Sequence, residues 1–115
     1  MIERIEDLKK ILEDPRELER VAEEFGKKLS KKERQVRELY VTVLKSKDLS
    51  MIKPRVYYQS TRHEELKELA ELVAKLVDVI RGSKNEVYRK SLLNFLEAVV
   101  AYARYYEKHE TRRIS

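Results

Sequence analysis

The stretch Asn85–Lys108, NEVYRKSLLNFLEAVVAYARYYEK, decides the fold. Tyr88, Leu92, Phe95, Val99, Tyr102 and Tyr106 recur at spacings of four and three, the repeat of one helix face. Leu93, Leu96, Val100 and Ala103 widen that face, and Ala98 and Tyr105 extend its other edge. On a wheel of about 100° per residue, only Lys90, Asn94, Glu97, Arg104 and Lys108 form a polar stripe. A helix apolar over roughly two thirds of its circumference is a central helix, wrapped by others.

Working outward, the preceding segment Arg62–Arg81 carries Leu66, Leu69, Val73, Leu76 and Ile80 at heptad spacing, widened by Ala70 and Val77. The tight Gly82-Ser83 turn predicts that it packs antiparallel to the last helix as a central pair. Four segments put a capping oxygen three residues before a glutamate: Asp14–Glu17, Ser30–Glu33, Thr61–Glu64 and Ser83–Glu86. Pro15 suits the first helical position, where its missing N–H costs nothing. Gly26 and Gly82 fall where helices are expected to end in a left-handed residue. These signals predict helices at Ile2–Glu13 (apolar face Ile5, Leu8, Leu12), Pro15–Phe25 (Leu18, Val21, Ala22, Phe25) and Lys31–Lys47 (Val36, Leu39, Tyr40, Val43). Pro54 is expected to push Lys53 away from helical angles and to open a short helix reaching Ser60. The tail after Lys108 is expected to fray. No strand pattern, internal repeat or low-complexity linker appears. The fold class is all-α, a compact bundle of five to six helices with a long central C-terminal helix.

At 115 residues with 42% hydrophobic content, the chain is read as a single domain with one modest core. It divides into acidic helices over 1–26, a basic helix and connector over 27–62, the central pair over 62–108 and a basic tail over 109–115. Charged residues reach 41%, against about 25% in an ordinary domain, a usage resembling that of thermophile proteins. The chain lacks cysteine, which excludes disulfides and zinc–thiolate sites and fits a cytoplasmic protein. No apolar run approaches the roughly 18 residues of a membrane span, and the charged N-terminus does not read as a signal peptide. The net charge of +5 is unevenly placed. Residues 1–26 carry nine acids and five bases, 27–37 six bases and only Glu33, and 51–62 Lys53, Arg55 and Arg62 with no acid. Such asymmetry suggests a basic surface for a polyanion, although a charge run by itself is more often a solvated face.

Chemistry-bearing motifs are scarce. His63 and His109 stand in no ligand spacing, and two glycines at helix ends leave no phosphate-cradling loop. Glu97, in the polar stripe of the most apolar helix, reads as an organising partner for a basic residue. No catalytic residue, metal ligand or cofactor is expected. Tyr88, Tyr102 and Tyr106 read as core packing. Tyr57 and Tyr58 adjoin basic stretches, where bases can stack; Tyr40 adjoins one as well, but reads first as core with its hydroxyl at the rim.

Three segments together resemble one family. Gln35-Val36-Arg37-Glu38-Leu39-Tyr40 resembles its QIR-x-x-Y motif, Pro54–Arg62 (PRVYYQSTR) its PKLAY-x-x-GR segment, and Phe95–Tyr102 (FLEAVVAY) its terminal F-x-EAIVAY signature. The family is the small subunit of type III-A CRISPR–Cas effector (Csm) complexes. Order and spacing also match, over about residues 30–108. Two positions depart: Lys32–Arg34 replaces a small polar lead-in, and Thr61 stands where the family has Gly.

The resemblance implies a non-catalytic helical subunit in several copies, stacked beside a repeated backbone subunit along the guide (CRISPR) RNA and its target. There it would hold single-stranded target RNA through its backbone, in antiviral defence, while nuclease and cyclase activities belong to the backbone and large subunits. Carried over by motif, the RNA-binding candidates are Gln35, Arg37, Arg55, Tyr58 and Arg62; Lys31, Arg34 and Lys53 join them on charge alone. Arg37 and Arg62 could equally pair with Glu97 or a tyrosine hydroxyl. Other Csm subunits, further copies of itself and a homodimer when isolated complete the expected partners, with no membrane. The competing reading is a free-standing helical dimer or adaptor that binds protein rather than RNA, because heptad seams also serve interfaces.

Overall fold

The computed structural model describes residues 4–114, with side chains described for 4–109. Six α-helices follow in order: α1 Ile5–Glu13, α2 Pro15–Lys28, α3 Glu33–Lys45, α4 Ile52–Arg62, α5 Lys67–Arg81 and α6 Val87–Ile114. Single 3-10 turns at Ser30–Lys32, Leu49–Met51 and Glu64–Leu66 lead into α3, α4 and α5. Among the described residues there is no strand. The all-α expectation holds, with the long helix at the C-terminus.

The buried face of α6 is the one its spacing predicts. Tyr88, Leu92, Phe95, Leu96, Val99 and Ala103 are buried, while Lys90, Asn94, Glu97, Arg104 and Lys108 face solvent. The partner on that face differs from expectation. α6 packs most extensively on α2 and then on α3, and its contact with α5 is small. α5 turns its apolar seam chiefly toward α4 and α1. Helices α2 and α6 run in the same direction, since Tyr102 reaches Glu19 and Tyr106 reaches Glu23 at one constant offset. The central pair is therefore α2 with α6.

Gly26 explains the exchange of partners. It does not end α2, which continues to Lys28, and neither glycine adopts a positive φ. A Cβ at Gly26 would lie 2.4 Å from Tyr102 Cβ and 2.9 Å from the Ala103 nitrogen. The glycine is there to let two helix backbones touch. Gly82 does follow α5, but in right-handed geometry at φ −79°.

The caps divide in the same way. Asp14 Oδ1 accepts from the Arg16 amide at 3.0 Å with Pro15 at the first helical position, as read. Ser30 instead lies buried in a 3-10 turn beside buried Leu29, and α3 starts at Glu33 without a side-chain cap. Thr61 stays inside α4, where its hydroxyl donates to the Tyr58 carbonyl at 2.6 Å, a local bond that competes with capping. Extended His63 (φ −138°) ends α4, which leaves Arg62 in α4 and starts α5 later than expected. The cap of α6 is Asn85, whose Oδ1 accepts from the Val87 amide at 3.0 Å, with Ser83 Oγ accepting from Asn85. Pro54 opens nothing: it is the third residue of α4, where no intrahelical amide partner is required, and Lys53 is helical. Ile5 is 63% exposed and Ile11 takes the expected core place in α1. The start placed at Ile2 lies outside the described residues. Helix α6 runs through Ile114, beyond the expected helix end at Lys108.

Candidate nucleic-acid interface

Helices α3 and α4 lie side by side in opposite directions, and a chain of polar contacts fixes them together. Arg55 donates to Ser46 Oγ at 2.9 Å, Ser46 Oγ donates to the Thr42 carbonyl at 2.7 Å, and Gln59 Nε2 donates to Thr42 Oγ1 at 2.9 Å. The register pairs residue 55 with 46 and 59 with 42. Gln59 Oε1 is buried with no hydrogen-bond partner among the described residues. Along this seam runs an open groove of about 640 Å³ lined by Thr42, Lys45, Pro54, Arg55, Tyr58, Gln59 and Arg62. Three of the seven are cations and none is an acid. Arg55, Tyr58 and Arg62 meet because positions three and four apart share a helix face. Lys45 enters from α3.

The groove thus gathers three of the RNA-binding candidates and adds Lys45, which was not among them. The signal was present: Lys45 lies eleven residues after Arg34, three helical turns on, so both fall on one edge of α3. Arg34 and Gln35 lie on α3 toward that edge, Arg34 exposed and 3.8 Å from Glu38, Gln35 partly buried. Lys31 sits exposed in the 3-10 turn that precedes α3.

Two candidates lie elsewhere. Lys53 turns to α5, where its ammonium donates to both carboxylate oxygens of Asp78 at 3.0 and 3.1 Å. Arg37 turns to the α6 side and pairs with Glu33 at 3.6 Å, a carboxylate also 4.0 Å from Arg104. Neither Arg37 nor Arg62 pairs with Glu97, which is exposed and makes no ion pair among the described residues. No carboxylate pairs with Lys45, Arg55 or Arg62 among the described residues, so the groove keeps its positive charge.

The acids of the N-terminal helices have a different use. Tyr88 donates to Glu13 at 2.6 Å, Tyr102 to Glu19 at 2.9 Å and Tyr106 to Glu23 at 2.5 Å. These hydrogen bonds hold the Tyr88 and Tyr102 hydroxyls above their ordinary range, and Tyr106 is pushed up to about 12. Arg20 binds Glu17 and Glu24 together, and its hydrogen bond draws the Glu17 carboxyl below its usual value. Five acids of the N-terminal helices, Glu13, Glu17, Glu19, Glu23 and Glu24, thus hold tyrosine hydroxyls or Arg20.

Among the described residues no three His, Cys, Asp or Glu side chains are arranged to hold a metal ion. No helix of the described residues is long and apolar enough to cross a membrane. Fold and groove together define a small all-helical protein with a basic, acid-free groove on one helix pair. The sequence model of the Csm2 Type III-A family matches residues 12–109. The chain belongs to that family, the small subunits of type III-A Csm complexes, and the resemblance of its three motifs is thereby accounted for. No curated protein and no solved structure matches the chain.

Proposed function

We propose that the chain is a non-catalytic RNA-holding subunit whose α3–α4 groove grips the backbone of single-stranded target RNA beside the guide, with several copies stacking in the complex. The single observation that carries the reading is the acid-free cluster of Lys45, Arg55 and Arg62 in a groove whose cations have no carboxylate partner among the described residues. Phosphate contacts position a strand without reading its sequence, and guanidinium groups suit them because they offer paired donors. Arg34 and Lys31 extend the cationic edge. Gln35, Arg37 and Lys53 contribute to the fold around the groove rather than to the strand.

Salt dependence tests it. Three phosphate contacts to single-stranded RNA give a slope of about −2 in log affinity against log salt, so raising salt from about 50 to about 200 mM should weaken binding roughly 20-fold. Replacing Arg55 and Arg62 by Glu should weaken all sequences alike and flatten that slope, with helical content retained. Equal RNA affinity in wild type and the charge-reversed protein, alone and within a reconstituted complex, would refute the groove as the RNA face. Further copies on one strand raise the effective concentration, so the complex should hold RNA far better than a single subunit.

A further inference from the structure

Resting on the reading of the α3–α4 groove as a phosphate-binding surface, we infer that the Tyr58 ring is a stacking platform for an unpaired base. The groove then selects strands whose bases are free over strands that present only a backbone. Tyr58 is 65% exposed, the most exposed of the large hydrophobic side chains described. It lies three residues after Arg55 and four before Arg62, on the same face of α4, with Lys45 across the groove. Tyr88, Tyr102 and Tyr106 each anchor a hydroxyl on a carboxylate. The Tyr58 hydroxyl has no such anchor among the described residues, and its carbonyl accepts from the Thr61 hydroxyl within α4. A ring kept in water between cations offers a flat apolar face beside charges that draw in phosphates. Nucleobases stack on such a face whatever their identity, because each has a π surface. A base inside a duplex is already stacked, so a paired strand reaches this groove with phosphates alone.

Tyr57 provides the comparison. It is 42% exposed on the adjacent face of α4, but its groove sets Glu64 and Glu71 against Lys67 and Lys75 and so offers a phosphate backbone no net positive charge. Two neighbouring tyrosines on one helix thus face different surroundings, one cationic and acid-free, the other charge-balanced. Of these two, Tyr58 is the one that combines an exposed ring with an acid-free cationic lining.

The test titrates the full chain with a short oligoadenylate and with an abasic ribose-phosphate strand of the same length, at several salt concentrations. Tyr58→Leu should weaken oligoadenylate binding by about 5- to 150-fold, the range of one base stacked on one ring. Its salt slope should stay parallel to that of wild type, since no phosphate contact is lost. Tyr58→Phe, which keeps the ring, should recover the lost affinity, and Tyr57→Leu should bind as wild type does. On the abasic strand the Tyr58→Leu and wild-type curves should coincide. If Arg55→Glu and Arg62→Glu weaken binding while Tyr58→Leu does not, the platform is overturned and the phosphate groove stands. Equal weakening of both strands by Tyr58→Leu, or an equal loss in Tyr57→Leu, overturns the platform as well. If the arginine variants bind like wild type, the groove reading itself fails and the platform with it.

Discussion

Gly26→Ala puts the α2–α6 crossing to the test. The added methyl would sit 2.4 Å from Tyr102 Cβ and 2.9 Å from both the Tyr102 carbonyl carbon and the Ala103 nitrogen. Carbon atoms in contact rest about 3.5–4.0 Å apart, so the helices must part by about 1 Å or more. Two of the three clashes are with backbone, which no rotamer change relieves. A shift of that size takes the Tyr102–Glu19 bond from 2.9 Å to about 4 Å, beyond hydrogen-bond range. It also loosens the edge-on contact of Phe25 with buried Phe95, whose ring centres lie 6.4 Å apart. Overpacking costs about 1–3 kcal/mol and the lost seam contacts about 1–2 more, against about 1 gained from alanine's helix propensity. The net expectation is destabilisation of about 1–4 kcal/mol in urea unfolding followed by circular dichroism, with the slope unchanged. Gly82→Ala is the internal comparison, because its nearest atom, the Asp78 carbonyl oxygen, would be 3.5 Å from the new methyl and its φ is −79°. That variant should be as stable as wild type or up to about 1 kcal/mol more so. A Gly26→Ala protein as stable as Gly82→Ala would refute the close crossing.

Three other outcomes follow from the same geometry. Phe95→Ala, at a fully buried site, should cost about 3–5 kcal/mol, and an unmoved denaturation midpoint would show that the core lies elsewhere. The tyrosine–glutamate seam predicts alkaline sensitivity: Tyr106 is raised to about 12 by its bond to Glu23, so its contribution is intact below the unfolded value of about 10 and is lost as pH climbs through the folded one. Urea midpoints should fall across that window and fall less in Tyr106→Phe; identical profiles would dismiss the seam's role. The Lys53–Asp78 pair is partly exposed, so a double-mutant cycle should give only about 0.2–1 kcal/mol, and Lys53→Ala should change RNA affinity far less than Arg55→Glu does; the reverse ranking would return Lys53 to the RNA face.

The periodic part of the fold was legible because burial and periodicity are the same information. On α6 the predicted Tyr88, Leu92, Phe95, Leu96, Val99 and Ala103 are buried and Tyr102 partly so. The predicted seam from Leu66, in the turn before α5, to Ile80 is buried too, with Leu72 and Ala74 added to it. Pairing was not legible, since an apolar stripe names no partner. The glycine at position 26 carried the missing information, but in sequence a glycine at a helix crossing and a glycine at a helix end look alike. Capping boxes misled where a local alternative won: Thr61 bonded back to Tyr58, and Ser30 followed buried Leu29 into a 3-10 turn. Pro54 was over-read as a breaker because its cost vanishes within the first turn of a helix.

Charge counting located the groove's neighbourhood and then blurred it. Residues 51–62 hold three bases and no acid, yet Lys53 and Arg55, two positions apart, point about 200° away from each other around α4. One reaches Asp78 on α5 and the other reaches Ser46 on α3. Net charge over a segment cannot separate them; helical phase and the acids of the packed neighbour can. The same reasoning accounts for the acidic N-terminal helices. Their net negative charge would oppose a polyanion if it faced the groove, but Glu13, Glu19 and Glu23 are turned onto tyrosine hydroxyls of α6, and Glu17 and Glu24 onto Arg20. The surplus of acid in one half and base in the other is therefore a sorting by helix: carboxylates of α1 and α2 engage tyrosine hydroxyls of α6 and Arg20, and α4 sets Arg55 and Arg62 along the groove it forms with α3.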